Sequence, residues 1–247
     1  MTLWVEDTLT REWLDAIWQD TDIGLLVAGG NEAVLGVVND AHEAGHNNVF
    51  GLRDRDFTQS NQDNWLDPTK NPKPFTPEMH EIENYFLDFE GLAQLGRELN
   101  PHGRTKRDLE TRAKDHAANT VWWLATRALI AEVRHGVTKN FPKHPPYNEN
   151  LKTRDDAIRS LTAKLTQPPW SHDIDRTQAI DTHWIPLELD KNYIDIMNKL
   201  ESGQWIHHWP GKEIFHHLLS YMGTEKSMGR DYALAIARHQ RLTRTVD

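Results

Sequence analysis

Ile23-Gly-Leu-Leu-Val-Ala-Gly-Gly-Asn-Glu32, followed by Asn48-Val-Phe-Gly-Leu-Arg-Asp-Arg-Asp56, decides the fold class. Ile23–Val27 is a short apolar run behind Asp22, the pattern of a fully buried parallel strand. Gly29-Gly30 ends it. Val34, Val37, Val38 and Ala41 then recur at helical spacing, and Gly45 stands where a helix is closed. Residues 48–53 read as a second strand that runs directly into Asp54-Arg55-Asp56. Strand, glycine turn, helix and strand make a right-handed crossover unit of a parallel sheet.

Working outward, Thr10 reads as the cap of a short helix with Trp13, Leu14, Ile17 and Trp18 on one stripe. Residues 58–75 read as a loop. Thr76-Pro77-Glu78 has the signals of a helix start, and the body from Met79 to about Leu99 carries Ile82, Tyr85, Phe86, Phe89 and Leu92 on one side. A long helix is expected from near Arg104 to Arg134, stopping at Gly136. Residues 137–153 and 166–187 read as connections around a short helix at 155–165. Two or three helices close the chain, at about 190–201, 211–222 ending at Gly223, and 227–242 capped by Ser227. The expected architecture is α/β, with a small parallel-sheet core over residues 1–100 and a mostly helical extension over 101–247.

Composition narrows the classes. Across 247 residues there is no cysteine, which removes disulfide scaffolds, cysteine zinc sites and thiol nucleophiles. The apolar stretches at 23–27 and 121–131 are short or broken by Arg127, and Met1–Asp7 lacks the basic start of a signal peptide. A soluble cytoplasmic protein without a membrane span is expected. The balance of 28 basic against 37 acidic residues, −9 overall, argues against a broad sequence-independent grip on nucleic acid. It leaves a metal-dependent nuclease open, because such a site is itself a carboxylate cluster.

Functional groups in parallel sheets gather where strands end. Asp54 and Asp56, two residues apart beyond a strand, can share a divalent ion such as Mg²⁺, although Asp-x-Asp is also an ordinary loop cap. Context adds weight. Ile23–Glu32, then Val49–Phe57 with Asp54-Arg-Asp-Phe57, then His80-Glu-Ile-Glu-Asn84 occur in an order that resembles the TOPRIM-type nucleases, in the DUF4435 branch related to the OLD-family nucleases. That branch typically has a strand ending in Val-Glu-Gly-x-x-Asp, an Asp-x-Asp-Phe after the next strand, and a His-x-Ile-Glu-Asn element. The similarity covers roughly residues 23–90, with a weaker match at Trp209-Pro-Gly-Lys212.

The resemblance implies a TOPRIM-like fold and metal-dependent nuclease activity with Mg²⁺ or Mn²⁺. Asp54, Asp56 and Glu32 are the implied metal ligands, and Glu83 completes the shell or orients water. Glu81 and Glu83 stand about 200° apart on a helix, so only one would face the site, and the family pattern favours Glu83. Lys212 would face the scissile phosphate. Proteins of this branch look like toxin effectors of bacterial anti-phage defence, restrained by an ABC-type ATPase partner. The TOPRIM effector of the PARIS system is the nearest resemblance, which implies transfer RNA rather than DNA as substrate.

One position departs from the pattern. Ala28 stands where the family glutamate is expected, beside retained Gly29 and Gly30 and with Glu32 at the Asp position. Either the chain is a naturally silent relative, or a glutamate was replaced to give a stable, non-toxic protein. The intact Asp-x-Asp favours replacement, and on that reading the chain as written is inactive and Ala28→Glu restores or strongly raises cleavage. A second class of function is a non-catalytic binding module docking on a partner ATPase, with Ala28 native. A phosphoacceptor receiver domain is a third, lacking a clear lysine soon after Asp56. Among the remaining residues, Arg230, Arg238 and Arg241 are the better candidates for nucleic-acid contact, since a second basic group at 97–114 is interleaved with acids. His207-His208 and His216-His217 invite a zinc reading, but satisfied histidines are commoner. Trp122-Trp123 points to a homodimer or a partner surface.

Overall fold

Thr2-Leu-Trp-Val5 alternates half-buried and buried residues, and it forms strand β1 at the centre of the sheet. The computed structural model describes residues 1–19, 21–57, 61, 74–134, 145–146, 149, 151–165, 183–225 and 228–244, with side chains to 241. Strand β2 (Gly24–Val27) and strand β3 (Val49–Leu52) flank β1 in the order β2-β1-β3, all parallel. Leu3 pairs in register with Leu25 and Phe50, and Val5 with Val27 and Leu52. The sheet is therefore α/β as expected, but the expected crossover from β2 to β3 passes over a central strand. That arrangement corrects one reading. Ile23–Val27 is not fully buried; β2 lies at the edge of the described sheet, and Leu26 is 44% exposed.

Helix α1 (Thr8–Ile17) links β1 to β2. Its cap is Asp7, whose Oδ1 accepts the Thr10 N–H at 2.8 Å, so Thr10 sits buried one turn inside rather than at the cap. Helix α2 (Asn31–Glu43) links β2 to β3 and buries Val34 and Val38. These valines pack over Gly51, where a Cβ would stand 2.6 Å from Val34 Cγ1 and 3.0 Å from Val38 Cγ2. Glycine is needed there by close approach.

Residues 76–99 depart from the expected single helix. They bend through residue 81, form a 3-10 helix at Ile82–Phe86, and continue as α3 (Phe89–Gln94). The cause is side chains competing for backbone groups. Asn84 Oδ1 accepts the Glu81 N–H, Asn84 Nδ2 donates to the carbonyls of Ile206 and Trp209, and Asp88 Oδ1 accepts the Gly91 N–H. The expected helix from Arg104 to Arg134 is likewise two helices, α4 (Lys106–Asn119) and α5 (Val121–Arg134). Between them Thr120 turns its hydroxyl back onto the carbonyls of His116 and Ala117.

Helices α6 (Arg154–Leu165), α7 (Trp184–Glu201), α8 (Trp205–His208), α9 (Gly211–Met222) and α10 (Gly229–Arg244) complete the order. Gly223, at φ +91°, closes α9 as expected. Gly136, Ser227 and most of the loops at 58–75, 137–150 and 166–182 lie outside the described residues.

The chain divides into two compact units, Met1–Ala113 with Ile206–Asp247, and Lys114–Trp205. This differs from a division at residue 100. The last helices belong with the sheet, because an aromatic chain joins them: Trp13 meets Tyr85 and Phe86, Phe86 meets Phe215, and Phe215 meets Tyr232. In the second unit, Trp122 stacks on Tyr193 at 3.9 Å between ring centres. Trp123 is buried, with its indole N–H on the Pro145 carbonyl and Arg127 over its ring. Both tryptophans are thus engaged within their own unit. No helix among the described residues is long and apolar enough to cross a membrane.

Two glycines give opposite expectations. Gly51→Ala forces a methyl into the packed valines and should lower the free energy of unfolding by about 1–3 kcal/mol. Gly36→Ala, in α2 with nothing near its Cβ position, should raise it by about 0.5–1 kcal/mol. Urea denaturation of the two variants checks both signs.

Candidate metal centre

The three strands end side by side, and their last residues set the site. Ala28 N–H donates to the Val5 carbonyl and Gly29 N–H to the Glu6 carbonyl, so Ala28 ends the edge strand while Glu6 ends the central one. Asp54 follows β3. Its backbone N–H donates to Glu6 Oε1 at 2.7 Å, and its Oδ1 accepts the Ile82 N–H at 2.9 Å. Its carbonyl accepts from Asn31 Nδ2, at the start of α2. Asp54 therefore joins the ends of β1 and β3 to α2 and the 3-10 helix.

Glu83 comes in on that 3-10 helix, 8% exposed. Its place is fixed by Gly211, where a Cβ would stand 2.3 Å from the Asn84 backbone nitrogen. Only glycine lets the start of α9 approach so closely, and this brings the Lys212 charge to bear on Glu83.

Carboxylates collected in this way repel one another and resist ionisation. Burial, then the charges of Glu6, Glu83 and Glu81, push the Asp54 carboxyl up to about 9, against the opposing Ile82 N–H. Burial holds Glu6 above the usual carboxylate range, with Asp56 and Asp7 adding to it and Arg53 opposing. Burial does the same to Glu83, with Lys212 opposing. At neutral pH Asp54 retains a proton that a cation would displace.

Beside it lies a second group. Asp56, His80 and Glu81 each present one ligand atom, and these atoms all lie within 4.8 Å of one another, so the three can hold a metal ion. Asp56 sits at φ +48°, a left-handed conformation that aspartate tolerates better than most residues. Its N–H donates to the His80 carbonyl at 2.8 Å, which holds the turn. His80 is 1% exposed and meets the edge of Phe57. Glu81 Oε2 accepts the Lys212 backbone N–H at 3.0 Å.

The expected site residues are thus brought together in part. Asp54 and Glu83 act on one another, Asp56 joins His80 and Glu81, and Lys212 faces Glu83. Glu32 lies exposed in the first turn of α2 and is not among the charges acting on Asp54. Ala28 is at a strand end as expected, but the glutamate that touches Asp54 is Glu6. Arg230 is paired with Glu12, at 2.6 and 2.8 Å, which ties α10 to α1, and Arg241 is bonded to Gln19, just beyond the end of α1. Arg238 is exposed on α10. The histidine pairs form no metal-holding group among the described residues. Instead, Arg55 donates to the His207 carbonyl and to His208 Nδ1, and His207 stands 3.4 Å from Glu78.

Glu6, His80 and Glu81 are the residues the sequence reading did not place in the site. Glu6 carried a signal: Leu3-Trp-Val-Glu6 is an apolar strand ending in a carboxylate, as Leu52-Arg-Asp54 is. Comparison with known protein families finds no matching family, and no curated protein matches the chain.

The raised carboxylates fix the sign of a pH effect. A carboxyl whose folded pKa lies above its unfolded value binds more protons when folded, so stability falls as pH rises between the two. For Asp54 that window runs from 3.8 to about 9. Metal-free protein should melt at progressively lower temperature as pH rises from 5 to about 8.5. Mn²⁺ should raise the melting temperature more at the alkaline end, where it meets less competition from protons. Asp54→Asn should flatten both trends in a thermal-melt series.

Proposed function

We infer that this chain is a metal-dependent nuclease of the TOPRIM type and that it is catalytically competent as written. The observation supporting this is the group of Asp56, His80 and Glu81, whose ligand atoms all lie within 4.8 Å of one another, beside Asp54, on which the charges of Glu6 and Glu83 act from β1 and the 3-10 helix. The donor set is oxygen-rich with one imidazole, which suits Mg²⁺ or Mn²⁺. Such an ion, when bound, neutralises charge on a phosphate and acidifies an attacking water.

The protein's own groups have distinct tasks. Glu6 and Asp54 are rigid ligands, fixed by the hydrogen bond between them and by the strand ends. Glu83, buried with a raised proton affinity, is suited to orient the water and take up its proton. Lys212, exposed at the start of α9, offers a point charge to a phosphate oxygen. Glu6 takes the part that the sequence alone gave to position 28. Ala28 then needs no replaced glutamate to explain it.

The wider role follows the resemblance. The proposed substrate is RNA, transfer RNA ahead of DNA, and the setting is anti-phage defence with an ABC-type ATPase as the restraining partner. Acidic net charge supports a structured target over sliding along duplex DNA.

The test is cleavage of a transfer-RNA panel, single-stranded DNA and duplex DNA with Mg²⁺ or Mn²⁺. The unaltered chain should cut at least one of them. Glu6→Ala and Asp54→Ala should each reduce the rate by at least about a hundredfold, and Lys212→Ala by a comparable factor. Ala28→Glu should give no gain. Activity that appears only in Ala28→Glu would instead place the missing ligand at position 28.

A further inference from the structure

Behind Glu83 the site opens into a cavity of about 530 Å³ within the first unit. Its wall combines groups from α1, α9 and α10: Glu12, Lys212, His216 and Arg230, with Glu83 itself and Asp7. Lys212 and His216 lie one turn apart on α9 and so share a face. The three helices all present their N-terminal ends here, through Thr8, Lys212 and Gly229. Their dipoles add to the positive side chains.

The carboxylates on this wall are already engaged. Asp7 caps α1 through the Thr10 N–H, Glu83 belongs to the metal centre, and Glu12 holds Arg230 in a two-pronged pair. That pair is asymmetric. The Glu12 side chain is 16% exposed while that of Arg230 is 65% exposed, so the guanidinium stands at the mouth with much of its surface open. A phosphate presents the same two-pronged geometry as the Glu12 carboxylate and can compete for the same fork.

We propose that this cavity is a subsite for a backbone phosphate next to the scissile one, and that Arg230 exchanges Glu12 for that phosphate when substrate enters. The proposal rests on the phosphodiesterase reading, because Glu83 and Lys212 form the shared wall between the two places. It assigns Arg230 a binding role beyond its contact with α1, and it makes Glu12 a competitor for the guanidinium. The chemistry recognised is the phosphodiester, so single-stranded RNA and DNA are both candidate occupants.

The test is equilibrium binding of short fluorescent single-stranded RNA and DNA oligonucleotides in Ca²⁺, read by anisotropy between 50 and 200 mM salt. Removing one phosphate contact from a single strand should lower the slope of log K against log salt by about 0.7. Arg230→Ala should show that drop and a roughly tenfold loss of affinity. Glu12→Gln, which frees the guanidinium, should tighten binding by about threefold. If Arg230 only pins α10 to α1, both variants lower the melting temperature, neither changes the slope, and the subsite is overturned. Absence of binding by either oligonucleotide also overturns it. Cleavage of the same oligonucleotides in Mg²⁺, lost in Asp54→Ala, reports separately on the nuclease reading. A chain that cleaves with an Arg230-independent slope loses only the subsite. A chain that binds through Arg230 and never cleaves keeps the phosphate contact but loses the nuclease, and with it the place beside a scissile bond.

Discussion

Asp54 is bonded through its N–H, its carbonyl and its side chain, and those bonds determine where everything else in the site can be. The N–H holds Glu6 at the end of the central strand, the carbonyl holds Asn31 at the start of α2, and the carboxylate receives Ile82 from the 3-10 helix. The same carboxylate is the most strongly perturbed acid, pushed up to about 9 by burial and by its acidic neighbours. A residue used only as a structural tie would be better served by asparagine, which has the same reach and no charge to bury. An acid kept here, protonated when the site is empty, can ionise when a cation arrives, which is the second task proposed for it.

The packing around this point is arranged to hold like charges together. Gly51 lets α2 lie close on the sheet, and Gly211 lets α9 lie close on the 3-10 helix. The aromatic chain from Trp13 through Phe86 and Phe215 to Tyr232 brings the C-terminal helices against the sheet unit. Hydrophobic burial along that chain offsets the repulsion among Glu6, Asp54 and Glu83. Stability and function thus oppose each other locally, a familiar property of sites that bind cations.

Much of this was legible in the sequence where a single local signal sufficed. The apolar run before Gly29-Gly30, the valine stripe of α2, and the strand running into Asp54-Arg-Asp56 each determined an element. Gly211-Lys212 marked the start of α9 and Gly223 its end. What escaped was non-local. Thr2–Val5 is four residues at a chain end, too short for periodicity to declare it, and only its pairing with both neighbours makes it the centre. Glu6 was hidden with it, so the missing glutamate was sought at Ala28 on the edge strand. Helical periodicity over 79–99 and 104–134 was real, but Asn84, Asp88 and Thr120 interrupt it through side-chain hydrogen bonds that only the folded chain supplies.

The proposed pairing has Glu6 and Asp54 bind a divalent cation together in exchange for a proton. Calorimetric titration with Mn²⁺ at neutral pH, in two buffers of different ionisation enthalpy, measures binding and proton release at once. Binding should be saturable, should release about one proton, since Asp54 holds one there, and should be lost in Glu6→Gln. Binding without proton release, or binding unchanged in Glu6→Gln, would contradict it.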